Sequence, residues 1–217
     1  MQDDDIKQYL KNNPEFFESN AAFLANIHLP SPHGGGTISL AERQQLAQRD
    51  KINALETNFA ELVLNARDND AIANKIHAFN VELHKAKSFD AIEQLISDLL
   101  PEYFDLSDTC LRLWAAPLDA SNRTNLVFSM LPDEAKAWVA ALTQPYCGKP
   151  PAIVTEDWFI EPTASLAIIP LQMEHTIGFL ALSSDDEKHF FTEMGTDFLS
   201  KIGEILSAAL SRYLDLN

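Results

Sequence analysis

Few side chains in this sequence stand at spacings that could do chemistry, and each can be weighed against a plain structural role. His77 and His84 are seven residues apart with Glu82 near them, so a helix would place both imidazoles on one face. Two turns separate them by about 10.5 Å, too far for both to ligate one metal ion within a single chain. Asp185-Asp186-Glu187 is a run of carboxylates that could serve acid–base work or hold a cation. It follows a β-rich stretch and stands among polar residues, which fits a solvated turn better. Cys110 and Cys147 are 37 residues apart with no CxxC spacing, so they read as reduced thiols and not as half of a zinc site or a disulfide framework. Cys147 precedes Gly148 with Lys149 as its one basic neighbour, short of the basic or His-rich context that activates a thiol. Gly34-Gly35-Gly36 lacks the Lys-Ser/Thr of a phosphate-binding loop, and His33 beside it reads as a surface or capping residue. No catalytic residue and no metal site follows from these patterns.

Trp114, Phe128, Trp158 and Phe159, with Cys147, are the side chains that could line a small-molecule pocket. Strand aromatics also build cores, so the pocket and the core remain alternative roles for them. No cofactor is identified by any motif.

Charge and hydropathy narrow the partners. Sixteen Lys and Arg face 32 Asp and Glu, for a net charge of −16. That balance repels phosphate backbones and anionic lipid, which speaks against generic nucleic-acid or membrane binding. The longest strongly apolar stretch, around 165–171, is too short to span a bilayer. The acidic start, with Asp3, Asp4 and Asp5, is unlike a secretory leader, and cytoplasm is the expected location.

The element that organises the chain is a predicted helix over about residues 39–87, free of Pro and Gly and about 73 Å long. Ser39-Leu40-Ala41-Glu42 reads as its capping box. From Ile52 the steps alternate between three and four: Leu55, Phe59, Leu62, Ala66, Asn69, Ala73, Ile76, Asn80, Leu83. This is a heptad seam with polar breaks at Asn69 and Asn80. A small domain cannot cover so long a stripe. The expectation is a parallel homodimer through Ile52, Leu55, Phe59, Leu62, Asn69 and Ile76, with N-terminal helices folded back over the seam as the alternative.

Before this helix, two or three short helices are predicted, with Ile6, Tyr9, Leu10, Phe16, Phe17, Phe23, Leu24 and Ile27 as their apolar residues. Their packing is expected on the long helix or on a partner. Residues 29–36 form a Pro- and Gly-rich hinge. After residue 87, Ser88 caps a helix with Ile92, Leu95, Ile96, Leu99 and Leu100 inward, stopped by Pro101. Strands are predicted at 109–115 and 125–130, a helix after Pro132, and a rigid loop over 145–151. A hairpin joins 165–171 to 176–183, with Gly178 marking a bulge or close backbone approach. A last helix covers about 192–214.

A family resemblance rests on the series Tyr9-Leu10, Asn13-Pro14-Glu15-Phe16-Phe17, Leu29-Pro30, Pro32-His33-Gly34-Gly35 and Ser39-Leu40-Ala41-Glu42-Arg43-Gln44. It continues in Ala66-Arg67-Asp68-Asn69-Asp70 and Met194-Gly195-Thr196-Asp197-Phe198-Leu199. Over nearly its whole length the chain resembles the domain of unknown function 484 family. The resemblance implies a bacterial cytosolic protein with a GAF-like domain behind a helical N-terminal part, and no established activity. The residue set that binds cyclic nucleotides in some GAF domains is not recognisable here.

The expected fold is α+β: a short helical segment and hinge over 1–36, a coiled-coil helix over 37–87, and a GAF/PAS-like domain over 88–217 with an antiparallel sheet and flanking helices. The expected function is a non-enzymatic, dimeric sensor or adaptor that reports a small molecule or binds a partner protein. A purely structural interaction scaffold without a ligand is the competing role.

Overall fold

A computed structural model describes residues 2–31, 34, 36–155 and 158–216. His33 and Gly35 of the glycine run lie outside the described residues. The chain divides into two compact units, Met1–Arg67 and Asp68–Asn217.

In the first unit, α1 (Asp3–Asn12), α2 (Glu15–Ser19) and α3 (Ala21–Ala25) bury none of their residues. Asp5 closes the first turn of α1 by accepting from the Gln2 backbone N–H at 2.9 Å. Aromatic edges hold the segment together, with Tyr9 and Phe17 both set against Phe16. Strand pairing reaches into the predicted hinge. β1 (His28–Pro30) and β2 (Thr37–Ser39) pair antiparallel across it, with Leu29 opposite Ile38. This ribbon then feeds directly into α4 (Leu40–Lys85).

The capping box at the head of α4 forms. The Ser39 backbone N–H donates to the Glu42 carboxylate at 2.8 Å, and the Glu42 N–H donates to the Ser39 hydroxyl at 3.2 Å. The Ser39 N–H, joined by the Ser39 hydroxyl donating to the same carboxylate at 3.0 Å, holds the Glu42 carboxyl below the ordinary glutamate value. Arg43 also donates to the Pro30 carbonyl, and the Leu40 N–H to the Ile27 carbonyl at 3.3 Å. The N-terminal segment is thereby tied to the first turn of α4. It does not cover the apolar stripe further along.

The second unit is α+β. Its sheet runs in the order β3-β7-β6-β5, antiparallel throughout, built from β3 (Asp108–Leu113), β5 (Tyr146–Gly148), β6 (Ser165–Gln172) and β7 (Thr176–Ser184). Between β3 and β5 come β4 (Ala116–Pro117), two 3-10 turns, and α6 (Asp133–Ala140). Both faces of the sheet are covered, so its central strands are apolar on each side. On one face the end of α4, α5 (Phe89–Phe104) and α7 (Asp197–Leu210) bring Ile76, Phe79, Leu83, Ile92, Ile202 and Leu206 onto Ala167, Ile169, Leu180 and Leu182. On the other, α6 and the segment around Trp158 cover Cys110, Leu166, Ile168, Phe179 and Ala181.

Gly178 is a point of close approach. A Cβ there would come within 2.3 Å of the Arg112 carbonyl oxygen and 2.5 Å of a Leu113 methyl. The register shift in this hairpin falls instead at Leu171/Gln172 on the facing strand.

Several elements depart from their predicted form. Pro101 does not stop α5, which continues through Phe104 until Asp105 turns left-handed at φ 54°. A proline forfeits one helical N–H bond and crowds the carbonyl four residues back, while its own carbonyl here accepts from the Leu106 N–H at 3.2 Å. Continuing the helix also packs Tyr103 and Phe104 onto the core. Residues 125–130 form no strand. The Asn125 side chain accepts from the Val127 N–H at 2.9 Å and donates to Glu93 at 2.6 Å, fixing a 3-10 turn over Leu126–Phe128. Within the predicted loop 145–151, Tyr146–Gly148 pairs with β6 as the edge strand. The last helix is shorter than predicted: Leu214–Asp215 leaves it to pair with β4 as β8.

Candidate functional site

Two places could carry function: the stripe on α4 and the neighbourhood of the predicted pocket residues. On α4 the heptad positions divide sharply. Ile52, Leu55, Phe59 and Leu62 are 53%, 58%, 68% and 65% exposed, while Phe79 and Leu83 are fully buried. Asn69 is exposed; Ile76, placed on the seam by its spacing, is buried in the core of the second unit. The helix thus presents a row of large apolar side chains in its middle and spends its last turns on packing. The end of α4 is held by the chain's C-terminal residues, with Arg212 donating to the Leu83 carbonyl at 3.3 Å and Tyr213 to Ala86 at 3.4 Å.

The five predicted pocket residues are distributed over both sheet faces. Trp158 lies buried and stacked on Phe179, ring centroids 4.5 Å apart and 27° between planes. Trp114 and Phe159 pack against that same cluster, and the Trp114 indole N–H donates to the Thr176 carbonyl at 2.7 Å. Phe128 belongs to the opposite face, tilted against Phe89 at 5.1 Å, and Cys147 is buried on that face too.

A cavity of about 320 Å³ lies along the edge strand β3, lined by Glu93, Cys110, Arg112, Val127 and Trp158 among others. A second, of about 550 Å³, lies beside Trp114, Met173, His175 and Ile177. The first combines an aromatic wall with both signs of charge, features suited to orienting a small polar molecule. Arg112 donates to the Leu111 carbonyl at 3.1 Å and is itself buried. Sequence reasoning gave it no role in a site, although an arginine on the same strand face as Cys110 and Trp114 is a signal that could have been used.

The remaining chemical candidates have local roles. His77 and His84 are exposed, and His84 Nδ1 lies 2.9 Å from the Asn80 carbonyl oxygen. Asp186 accepts from the Lys188 N–H at 2.8 Å within a turn. Among the described residues no three His, Cys, Asp or Glu side chains gather as a metal set, and no helix is long and apolar enough to cross a membrane.

Burial raises the Cys147 thiol from its ordinary value of about 9 to about 11. It stays protonated at neutral pH. Iodoacetamide at pH 7.5 is therefore expected to alkylate Cys147 far more slowly in the native protein than in urea, as read by peptide mass spectrometry. Its contribution to stability is present below pH 9 and is lost as pH rises toward 11, because the unfolded thiol ionises first.

Comparison with known proteins supplies relatives without an assigned activity. The family model described as "Protein of unknown function, DUF484" matches residues 1–215. The chain is 29% identical over 232 residues to "Uncharacterized protein YigA" of Shigella flexneri, covering 99% of this chain and 93% of that protein. The protein of the same name from Escherichia coli (strain K12) is 28% identical at the same coverage. Among solved structures, the native GAF domain of the potassium sensor histidine kinase KdpD from Escherichia coli is similar to 64% of this chain. It is matched over 93% of its own length, at 16% identity and a TM-score of 0.40.

Proposed function

We propose that this chain, which belongs to the DUF484 family of proteins of unknown function, is a non-enzymatic sensor or adaptor. It works as a homodimer joined along α4 and reports a small molecule or holds a partner protein in the cytoplasm. The observation that carries this reading is the division of labour on one helix. Four large apolar side chains from Ile52 to Leu62 are more than half exposed, and the same helix ends as core through Ile76, Phe79 and Leu83.

An exposed row of this kind favours association, since each such side chain contributes about 1.5–3 kcal/mol when fully buried. A helix whose final turns are also core couples association to the packing of the sheet domain. A ligand can shift such a system only by binding two arrangements with different affinity. The cavity at Glu93, Arg112 and Trp158 borders α5, which packs in one cluster with the end of α4. A small molecule held there would act on that packing. The non-enzymatic part of the reading is supported by the burial of Cys147, which keeps a potential nucleophile inert, and the net charge of −16 supports protein or small-molecule partners over nucleic acid.

Native mass spectrometry of the gently purified protein, followed by hydrogen exchange with any small metabolite that raises its melting temperature, tests the sensor reading. Protection over residues 73–87 is expected to change when such a compound binds. A compound that binds and stabilises yet leaves 73–87 unaltered would overturn the sensor reading.

A further inference from the structure

The exposed stripe also carries information about how a second copy lies on it. We infer that two α4 helices pair parallel and in register over residues 52–73, with Lys51 of each copy facing Glu56 of the other. This rests on the homodimer proposed above and adds its register, the end of its seam and the charge pair that fixes its orientation.

The heptad letters follow from the spacing. Ile52, Phe59, Ala66 and Ala73 take position a; Leu55, Leu62 and Asn69 take position d. All seven are exposed in the single chain. The next d residue, Ile76, is only 6% exposed because the second unit's own core uses it. The seam available to another copy therefore ends at about Ala73. Lys51 then falls at g and Glu56 at e, both exposed. In a parallel, in-register pair each g residue faces the e residue five places later on the other helix. Lys51 and Glu56 satisfy that relation twice, once on each side of the seam. The same arrangement sets Asn69 against its own copy, where two amides can hydrogen-bond to each other.

Antiparallel pairing does worse with the same residues, because it packs a against d. If Phe59 meets Leu62, then Asn69 is set against Ile52, and its amide is left facing hydrocarbon. If Phe59 meets Leu55, the two Glu56 carboxylates come together. Only the parallel arrangement keeps the apolar row together, gives the amide a polar partner and separates like charges.

The test is disulfide trapping of the full-length Leu55→Cys protein under mild oxidation, with Glu61→Cys on the outer face as control. Cys110 and Cys147 are buried and contribute little background. A parallel, in-register pair places residue 55 opposite residue 55, so L55C is expected to cross-link to a covalent dimer and E61C not to. A charge exchange reads the same geometry independently of cysteine chemistry. Lys51→Glu alone and Glu56→Lys alone should each raise the dimer dissociation constant about three- to tenfold at low salt. The double exchange should return it to within about twofold of wild type. A dimer that neither traps through L55C nor shows this rescue overturns the orientation and leaves the dimer standing. A monomeric wild type overturns both.

Discussion

Leu55→Asp combined with Leu62→Asp is expected to give a protein of 24.2 kDa in solution, where the unaltered chain is expected at about twice that mass. Both side chains project from α4 and are 58% and 65% exposed in the single chain. Their loss therefore removes little from the protomer's own stability, and the variant's melting temperature should lie within a few degrees of the parent's once the parent is diluted to its monomer, since dimerisation itself raises the parent's value. In the pair they stand at successive d positions, so the double change would bury four carboxylates in one seam. Each unpaired buried charge costs several kcal/mol even after relaxation, more than the apolar row can offset. Light scattering across the micromolar range reads the outcome. A double variant that still associates as strongly as wild type would move the interface off this stripe.

The second expected result contrasts two phenylalanines on the same helix. Phe79 is fully buried and Phe59 is 68% exposed. Phe79→Ala leaves a cavity against the sheet and should lower the stability of the second unit by about 3–5 kcal/mol. Measured in dilute, dissociated protein, Phe59→Ala should leave that unit's unfolding unchanged within about 0.5 kcal/mol, its effect falling on association. Urea unfolding followed by the tryptophans, all three of which lie in or beside the second unit's sheet cluster, separates the two effects from each other. Equal destabilisation by both substitutions would mean that the stripe is packed within the protomer.

Local chemistry makes much of the fold legible in the sequence itself. The Ser39/Glu42 capping box, the 165–183 hairpin and the close contact at Gly178 each follow from one residue's stereochemistry or one hydrogen-bond reciprocity. The misread elements are those where a side chain or tertiary packing outweighed the pattern. Asn125 bonds to its own backbone two residues on and to Glu93 across the domain, so an alternating stretch becomes a 3-10 turn. Pro101 sits inside a helix because packing of the residues after it outweighs one missing bond.

The stripe on α4 shows a deeper limit. Heptad spacing continues unbroken from Ile52 through Leu83, because a partner helix and the chain's own core ask for apolar residues at the same period. Periodicity could locate the seam and not its end. The change from exposed Ala73 to buried Ile76 places that boundary, and only the packed structure contains it. The pocket residues illustrate the same point across the sheet. Strand alternation names candidate aromatics, but the 3-10 turn sends Phe128 to Phe89 on the face opposite Trp158.

Sedimentation-velocity analysis of the unaltered full-length chain between about 1 and 50 µM tests the central claim most directly, because sensor and adaptor readings alike require two copies joined along α4. A single species of about twice 24.2 kDa is expected through most of that range. A single species at 24.2 kDa up to the highest concentration would contradict it.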